Sequence, residues 1–555
     1  MSINCIENLS NEIFCEIFDY LDAYVIFHGF SNLNNRFRLL LNSSLTRLKV
    51  TDNYLRSKRI FLHNYKEIFL HHQHQIVSIH SWEPESSKLI LSTITFDLSF
   101  QSLQTLAFNS IQPDILISLL QQLAFLPRLY SLTIDMWPAK QDLGYIYQLI
   151  FNLPQLKYLK YVTSETNEFN IITSLPMATE KQMTSIEYLI IIHPCSIKEL
   201  FTILSYTPQL RHLKFLNVTD TTINLNTIEP ISLMNLTKLS IEIYQLTFDE
   251  LEILLKRLSS NLKILQLDIN HEDSSYLDAI RWENFLRTNL VQLKSFYFKY
   301  IIHFAEDYAT PMYLGEQNQF SSSFWIERQW IFKVENEFEN LIYSIQPYKK
   351  KWYEYDMKSK DLSKSVTFDV SEATPERWTK TIYIHEYIHH ALTVTKIYHL
   401  EISMIISLEQ LTDILFQLPD VETLTLFRLS YKDSSQISDE EIQFLCLLFH
   451  KNRLTKIFLQ EMGQMADVYF LALIASRVNH LHIKCKNYQH AESCIGLILT
   501  DIQSKSDSLL RLFSIVLPTI DNDTVKDLSK LVHRHNLLDN FMIEHVKNEI
   551  YLKWT

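Results

Sequence analysis

From residue 9 onward the apolar positions recur with a helical period. In LSNEIFCEIFDYL, Ile13, Phe14, Ile17, Phe18 and Leu21 fall at i, i+1, i+4, i+5 and i+8, the wide stripe of an amphipathic helix. Ser10 stands where a side chain caps the first turn, and Glu12 lies where a negative charge suits the helix dipole. Val25, Ile26, Phe27 and Phe30 follow, then Leu33, Phe37 and Leu39 to Leu41. Three short helices fit residues 1–45. So little chain cannot enclose that much apolar surface alone, so a partner or the rest of the molecule must cover it.

Past residue 100 a second pattern takes over. The phrase Pro-x-Leu-x-x-Leu-x-Ile recurs as PRLYSLTI at 127, PQLKYLKY at 154, PQLRHLKF at 208 and PDVETLTL at 419. Counting also the copies without proline, its first apolar residue falls at Leu103, Leu129, Leu156, Ile186, Leu210, Leu236, Leu262 and Leu293. It resumes at Ile397, Val421, Leu454 and Val478. Each phrase reads as a short strand. Helical segments such as DILISLLQQLAFL and DELEILLKRL lie between strands. Four helix starts carry a capping box: Ser196 with Glu199, Thr247 with Glu250, Ser407 with Gln410, and Ser438 with Glu441. The prolines stop the helices and push the preceding residue to an extended backbone. A strand–helix unit repeated at this period predicts an α/β solenoid, with strand alternation sending every second side chain to a face without helices. Tyr158, Lys160, Tyr188, His212, Lys214, Lys238, Glu242, Gln266, Asp268 and Tyr297 belong to that face, as do Phe427, Phe458, His480, His482 and Lys484 in the later units. Tyr158, Tyr188, Lys214, Tyr297, Phe427 and Phe458 are the candidate residues for holding a target protein, because exposed aromatics with mixed charge suit protein recognition.

Residues 300–395 break the rhythm. They hold Trp325, Trp330, Trp352 and Trp378 and the basic run Lys349 to Lys351. Either this is an insertion presenting aromatic and cationic anchors to a partner, or a set of enlarged units whose aromatics fill the core. The expected divisions are therefore 1–45, 46–299, 300–395 and 396–555, the last ending in a helical cap.

Residues 9–41 resemble the F-box family, whose pattern runs Leu-Pro-x-Glu-Ile-Leu-x-x-Ile-Phe-x-Tyr-Leu. Leu9, Glu12, Ile13, Ile17, Phe18, Tyr20 and Leu21 match in register, and Arg36-Phe37 falls where the family has a basic residue followed by Trp or Phe. Ser10 replaces the usual proline. The resemblance implies docking onto the adaptor subunit of a cullin–RING ubiquitin ligase through Leu9, Glu12, Ile13, Ile17, Phe18, Leu21, Val25 and Phe37. The array resembles the leucine-rich repeat family, but the Asn or Cys expected eight places after the first leucine is replaced by residues such as Ile111, Trp137 and Pro194. That departure implies irregular loops. Together the two resemblances imply a substrate-recognition subunit of an SCF-type ligase, with no catalytic residue, cofactor or metal of its own. The alternatives are a repeat scaffold whose N-terminal helices act as a cap, and a zinc hydrolase.

Composition narrows the options. An apolar fraction of 47% over 555 residues supports a large core. A net charge of −12 argues against a general nucleic-acid or anionic-membrane surface. The six cysteines form no CxxC pair, no apolar run opens the chain or approaches ~20 residues, and a reducing cytoplasmic or nuclear setting is expected. Five isolated glycines exclude a phosphate-cradling loop. The sharpest catalytic pattern is His385-Glu386-Tyr387-Ile388-His389, an HExxH. Its Thr, Tyr and Ile neighbours predict a strand, which would hold the two imidazoles ~13 Å apart, too far for one metal. His71, His72, His74 and His80 lack accompanying cysteines and read as a solvated polar face.

Overall fold

The computed structural model describes residues 7, 9–43, 46–51, 65, 68–137, 142–163, 171–217, 231, 233–258, 261–304, 312–316, 319–337, 340–348, 366–370, 382–431, 452–462, 465–504, 508–518, 522–534, 541–546 and 548–554. The chain divides into two compact units, residues 1–271 with 285–294, and residues 272–284 with 295–555.

The first unit opens with three helices, α1 (Asn11–Phe18), α2 (Ala23–Phe30) and α3 (Asn35–Leu41). Asp22 caps α2 by accepting from the Tyr24 amide, and Asn34 caps α3 by accepting from Phe37. Ser10 does not cap as expected. It holds the extended N-cap backbone of α1, but its hydroxyl engages the Glu12 carboxylate and no backbone amide.

Among the described residues nine strands follow: β1 (Leu48–Thr51), β2 (Ile76–Ser81), β3 (Thr105–Ile111), β4 (Ser131–Met136), β5 (Tyr158–Thr163), β6 (Tyr188–Ile192), β7 (His212–Asn217), β8 (Lys238–Ile243) and β9 (Ile264–Ile269). They pair parallel, each with the next in the chain. Helices α4 (Pro84–Thr93), α5 (Pro113–Leu123), α6 (Gly144–Phe151), α7 (Ile197–Ser205) and α8 (Phe248–Leu258) supply crossovers. Strict chain order with crossovers of one hand puts every helix on the same side of the sheet. Burial bears this out: Leu106, Leu132, Leu159, Leu189, Leu213, Leu239 and Leu265 stand in register across seven strands, all buried, while their neighbours on the other face are mostly half-exposed. That ladder is the second leucine of the repeated phrase. The first apolar position is buried at all eight places from Leu103 to Leu293. Strands β1 and β2 precede the first copy of the phrase and carry no leucine at its key position, so the sequence pattern missed them.

The second unit holds β10 (Ser295–His303), β11 (Trp330–Glu337), β12 (Asn340–Pro347), β13 (Thr367–Val370), β14 (His399–Ser407), β15 (Thr423–Ser430), β16 (Lys456–Leu459), β17 (His480–Lys484), β18 (Leu512–Val516), β19 (Phe541–Val546) and β20 (Glu549–Trp554). From β13 to β18 the strands again pair parallel in chain order. Its helices include α9 (Ser323–Glu327), α10 (Ile382–Val394), α11 (Leu408–Gln417), α12 (Met465–Ala475), α13 (Tyr488–Ser504) and α14 (Asn522–Arg534). Antiparallel pairing appears at both ends of the parallel run, where β12 lies between β10 and β11, and where β20 lies between β18 and β19. The chain therefore ends in a hairpin that extends the sheet, where a helical cap was expected. The architecture of both units is α/β, open and mostly parallel.

One of the two readings left open for residues 300–395 gains support here, and one expectation is corrected. In the 300–395 stretch, Trp325 and Trp330 are buried among Phe320, Phe324 and Phe332, so these aromatics are core. Trp352, Trp378 and Lys349 to Lys351 lie outside the described residues, as does the Ser438–Glu441 box. The HExxH segment is helical, within α10, and not a strand. Tyr387, Ile388, Ala391 and Val394 are its buried apolar residues among those described, an i, i+1, i+4, i+7 stripe that outweighs the β-propensity of Tyr and Ile.

Candidate docking surfaces

The three N-terminal helices make their own small core. Phe14 meets Phe37 edge-on at 4.8 Å between ring centroids, and Phe18 meets Phe30 at 5.0 Å. Arg36 ties the start of α1 to α3. It donates from Nε to Asn11 at 2.8 Å and from its terminal nitrogens to the carbonyls of Glu7 and Leu9, with its guanidinium over the Phe14 and Phe37 rings. This three-helix bundle is fastened to the first strand. The Thr51 amide and the Tyr65 hydroxyl both donate to Asp22, at 2.7 and 2.6 Å, and Lys49 donates to the Asp19 carbonyl. Burial holds the Asp22 carboxyl above its ordinary range, although these donors pull it down.

Helix α1 thus carries two apolar stripes. Phe14 and Phe18 point inward. Ile13 and Ile17, with Tyr20 in the turn just past the helix end, point away, with Ile13 42% and Tyr20 91% exposed and Ile17 half-exposed. Val25, Leu33 and Leu39 are also exposed. Of the residues expected to meet an adaptor, Glu12, Ile13 and Val25 lie on the surface, and Leu9, Ile17 and Leu21 are half-buried. Phe18 and Phe37, expected on the docking surface, are interior, each 1% exposed, and hold the three helices together. Glu12 is exposed, and its carboxyl is held below the usual range by the Ser10 hydroxyl and the helix amide.

The second surface is the helix-free face of the first unit. Tyr158, Tyr188, His212 and Lys238 stand in register on β5 to β8, and Lys160, Ile190, Lys214, Ser240 and Gln266 form the next row on β5 to β9. Lys214 pairs with Glu242 at 2.6 Å. At the edge where the strands begin lies a cleft of ≈ 410 Å³ lined by Tyr188, Arg211, His212, Asn235, Asn261 and Lys263, among others. Sequence alternation pointed to Tyr188 and His212 but not to Arg211 or Lys263, which precede their strands by one residue. Burial lowers the pKa of His212, and Lys238 and Arg211 push it further down.

In the second unit the same face is less open. Tyr297 is 38% exposed and Phe427 half-exposed. Phe458 is only 3% exposed and lies against the rings of His480 and His482, which are buried too, so these three are not available as a binding surface. The Ser514 hydroxyl lies 3.0 Å from His480 Nε2 and 2.7 Å from His482 Nδ1. It has one proton, so it donates to one ring and accepts from the other. A second polar group, Lys333 with Glu335 and Asp369, sits on β11 and β13. Burial opposes the charge on Lys333, but Asp369 and Glu335 more than reverse this and raise its pKa.

On α10, His385 and His389 are one turn apart, and His385 Nδ1 is engaged by the Gln417 amide of α11. Among the described residues no three His, Cys, Asp or Glu side chains gather in a way that would hold a metal ion. His72 lies against the Phe27 ring and is bonded to Gln75 at 2.7 Å. No helix of the described residues is long and apolar enough to cross a membrane. No family model matches this chain, and no curated protein matches it.

Proposed function

We propose that the chain is a substrate-recognition subunit of an SCF-type cullin–RING ligase. Its F-box-like helices dock the adaptor, and a leucine-rich solenoid presents a target protein. The observation that carries this is the double stripe of α1: Phe14 and Phe18 complete the helical core, and Ile13, Ile17 and Tyr20 are left facing out beside Val25. A capping helix alone needs only the inner stripe. The outer one is an exposed apolar surface suited to a second polypeptide. The register of Leu9, Glu12, Ile13, Ile17 and Tyr20 with the F-box pattern supports an adaptor as that polypeptide. In this role the chain contributes proximity and orientation, not a reacting group.

A second reading, a scaffold with a helical cap, draws support from the Asp22 and Lys49 bonds that fasten the helices to β1. Substitution separates the two. With the adaptor co-expressed, the tagged wild-type chain should bring it through purification, and Ile13→Asp and Ile17→Asp should lose it while keeping the wild-type melting temperature. A wild-type chain that emerges without adaptor would remove the ligase role.

A further inference from the structure

The first unit carries a feature that its overall composition hides. The residues that immediately precede β5 to β9 are Lys157, Glu187, Arg211, Thr237 and Lys263. They form a ladder of their own, because the amide of each donates to the carbonyl of the residue before it in that series, from Glu187 to Lys157 through to Lys263 to Thr237, at 2.8–2.9 Å. The ladder is cationic. Glu187 bridges Lys157 at 3.1 Å and the Arg211 Nε at 3.2 Å, so one acid faces two bases, and Lys263 adds a third positive charge. Lys238 lies in the adjoining row. Among the described residues lining the cleft there is no Asp or Glu. The chain as a whole carries −12, so this edge stands out against its own molecule.

We propose that this cleft binds an acidic polypeptide segment, with Arg211 and Lys263 receiving its carboxylate or phosphoryl oxygens. Both cations project from exposed positions at the rim. They sit two strands apart, ~10 Å at the usual strand spacing. In an extended peptide, side chains two residues apart share a face and lie ~7 Å from one another, a gap that flexible Arg and Lys side chains bridge. The preferred segment therefore carries negative groups at alternate positions. The rings of Tyr188 and His212, 4.5 Å apart and edge to face, make an apolar wall for the residue between them. Asn235 and Asn261 lie beside the cations; their Nδ2 groups donate to Gln209 and to the Met234 carbonyl, which leaves their Oδ1 atoms to accept from peptide backbone. The positive field that Lys238 and Arg211 impose on His212 is the field an anion would meet. This inference shares with the proposed function only the idea that the helix-free face receives a polypeptide. Its test involves no adaptor, so the two fail separately.

The probes are fluorescein-labelled Glu-Ala repeats of eight residues, the same peptide with phosphoserine for glutamate, the Lys-Ala counterpart, and a single-stranded oligonucleotide of equal charge, each titrated into the full chain by anisotropy. Saturable binding of an acidic peptide is expected, weakened about tenfold or more in Arg211→Gln/Lys263→Gln and by rising salt, and unchanged in Lys198→Gln on the helix side. Tighter binding of the phosphoserine form would assign the phosphoryl group, and of the glutamate form the carboxylate. No saturable binding, equal loss in Lys198→Gln, an unaffected double variant, or a preference for the oligonucleotide would each overturn the proposal.

Discussion

Individual residues decide how this chain responds to acid. His193 lies wholly buried between Tyr147 and Pro194. A carbonyl oxygen only accepts, so Nδ1 donates to Pro194 at 2.8 Å and Nε2 must accept from the Tyr147 hydroxyl at 2.7 Å. A proton on Nε2 would remove that acceptor. Burial pushes His193 and His482 down to about 4, and His480 to about 3. An unfolded histidine titrates near 6.5. Below that pH the unfolded chain takes protons that the native chain refuses. The stability these groups lend is therefore complete above 6.5 and is lost as pH falls toward 4, by ~2 kcal/mol per group at pH 5. The melting temperature should drop steeply between pH 7 and pH 5, and His193→Gln, which keeps hydrogen-bonding atoms but does not titrate there, should make the drop shallower. A parallel pH profile in the variant would refute the assignment. None of this was legible in the sequence, where His193 sits unremarked beside Pro194. The same limit applies to Phe18 and Phe37, because a helical stripe shows which residues are apolar but not which half faces inward.

Among the elements, local chemistry and tertiary contacts agree where the repeated phrase is strong. The boxes at Ser196, Thr247 and Ser407 form as the spacing implies, each with a backbone and a side-chain partner. Ser407→Ala should lower stability by ~1 kcal/mol, the usual cost of losing a cap, and equilibrium urea unfolding measures it. No change would mean that α11 is held by its buried face alone. Prediction failed where the leucine signal gave out. Strand β1 presents Leu48 and Val50 and β2 presents Ile76 and Ile79 in place of the phrase, and Leu510 and Phe513, just before and within β18, fall outside the counted period. Helix α10 reads as a strand because Tyr and Ile suit strands, although the spacing of its buried residues is helical. The closing hairpin was missed because strands β19 and β20 have few leucines.

At the scale of the molecule, β1 to β9 and β13 to β18 are rows of parallel strands in chain order, and the recurrence of the leucine phrase had already written that order into the sequence. What the period does not encode is what each exposed face meets. The N-terminal helices illustrate the difficulty. Asp22, Lys49 and the Phe27–His72 contact bind them to the first strands, so deleting residues 1–45 strips cover from β1 whichever partner they serve. Loss of stability on deletion therefore does not separate a cap from a docking motif, whereas a polar substitution on the outer stripe does. The most direct measurement is a calorimetric titration of purified cullin–RING adaptor into the full-length chain and into Ile13→Asp, with the melting temperature of both recorded. The account predicts one adaptor per chain for the wild type, affinity at least a hundredfold weaker in the variant, and matching melting temperatures. No binding by the wild type, or equal affinity in the two, would contradict it.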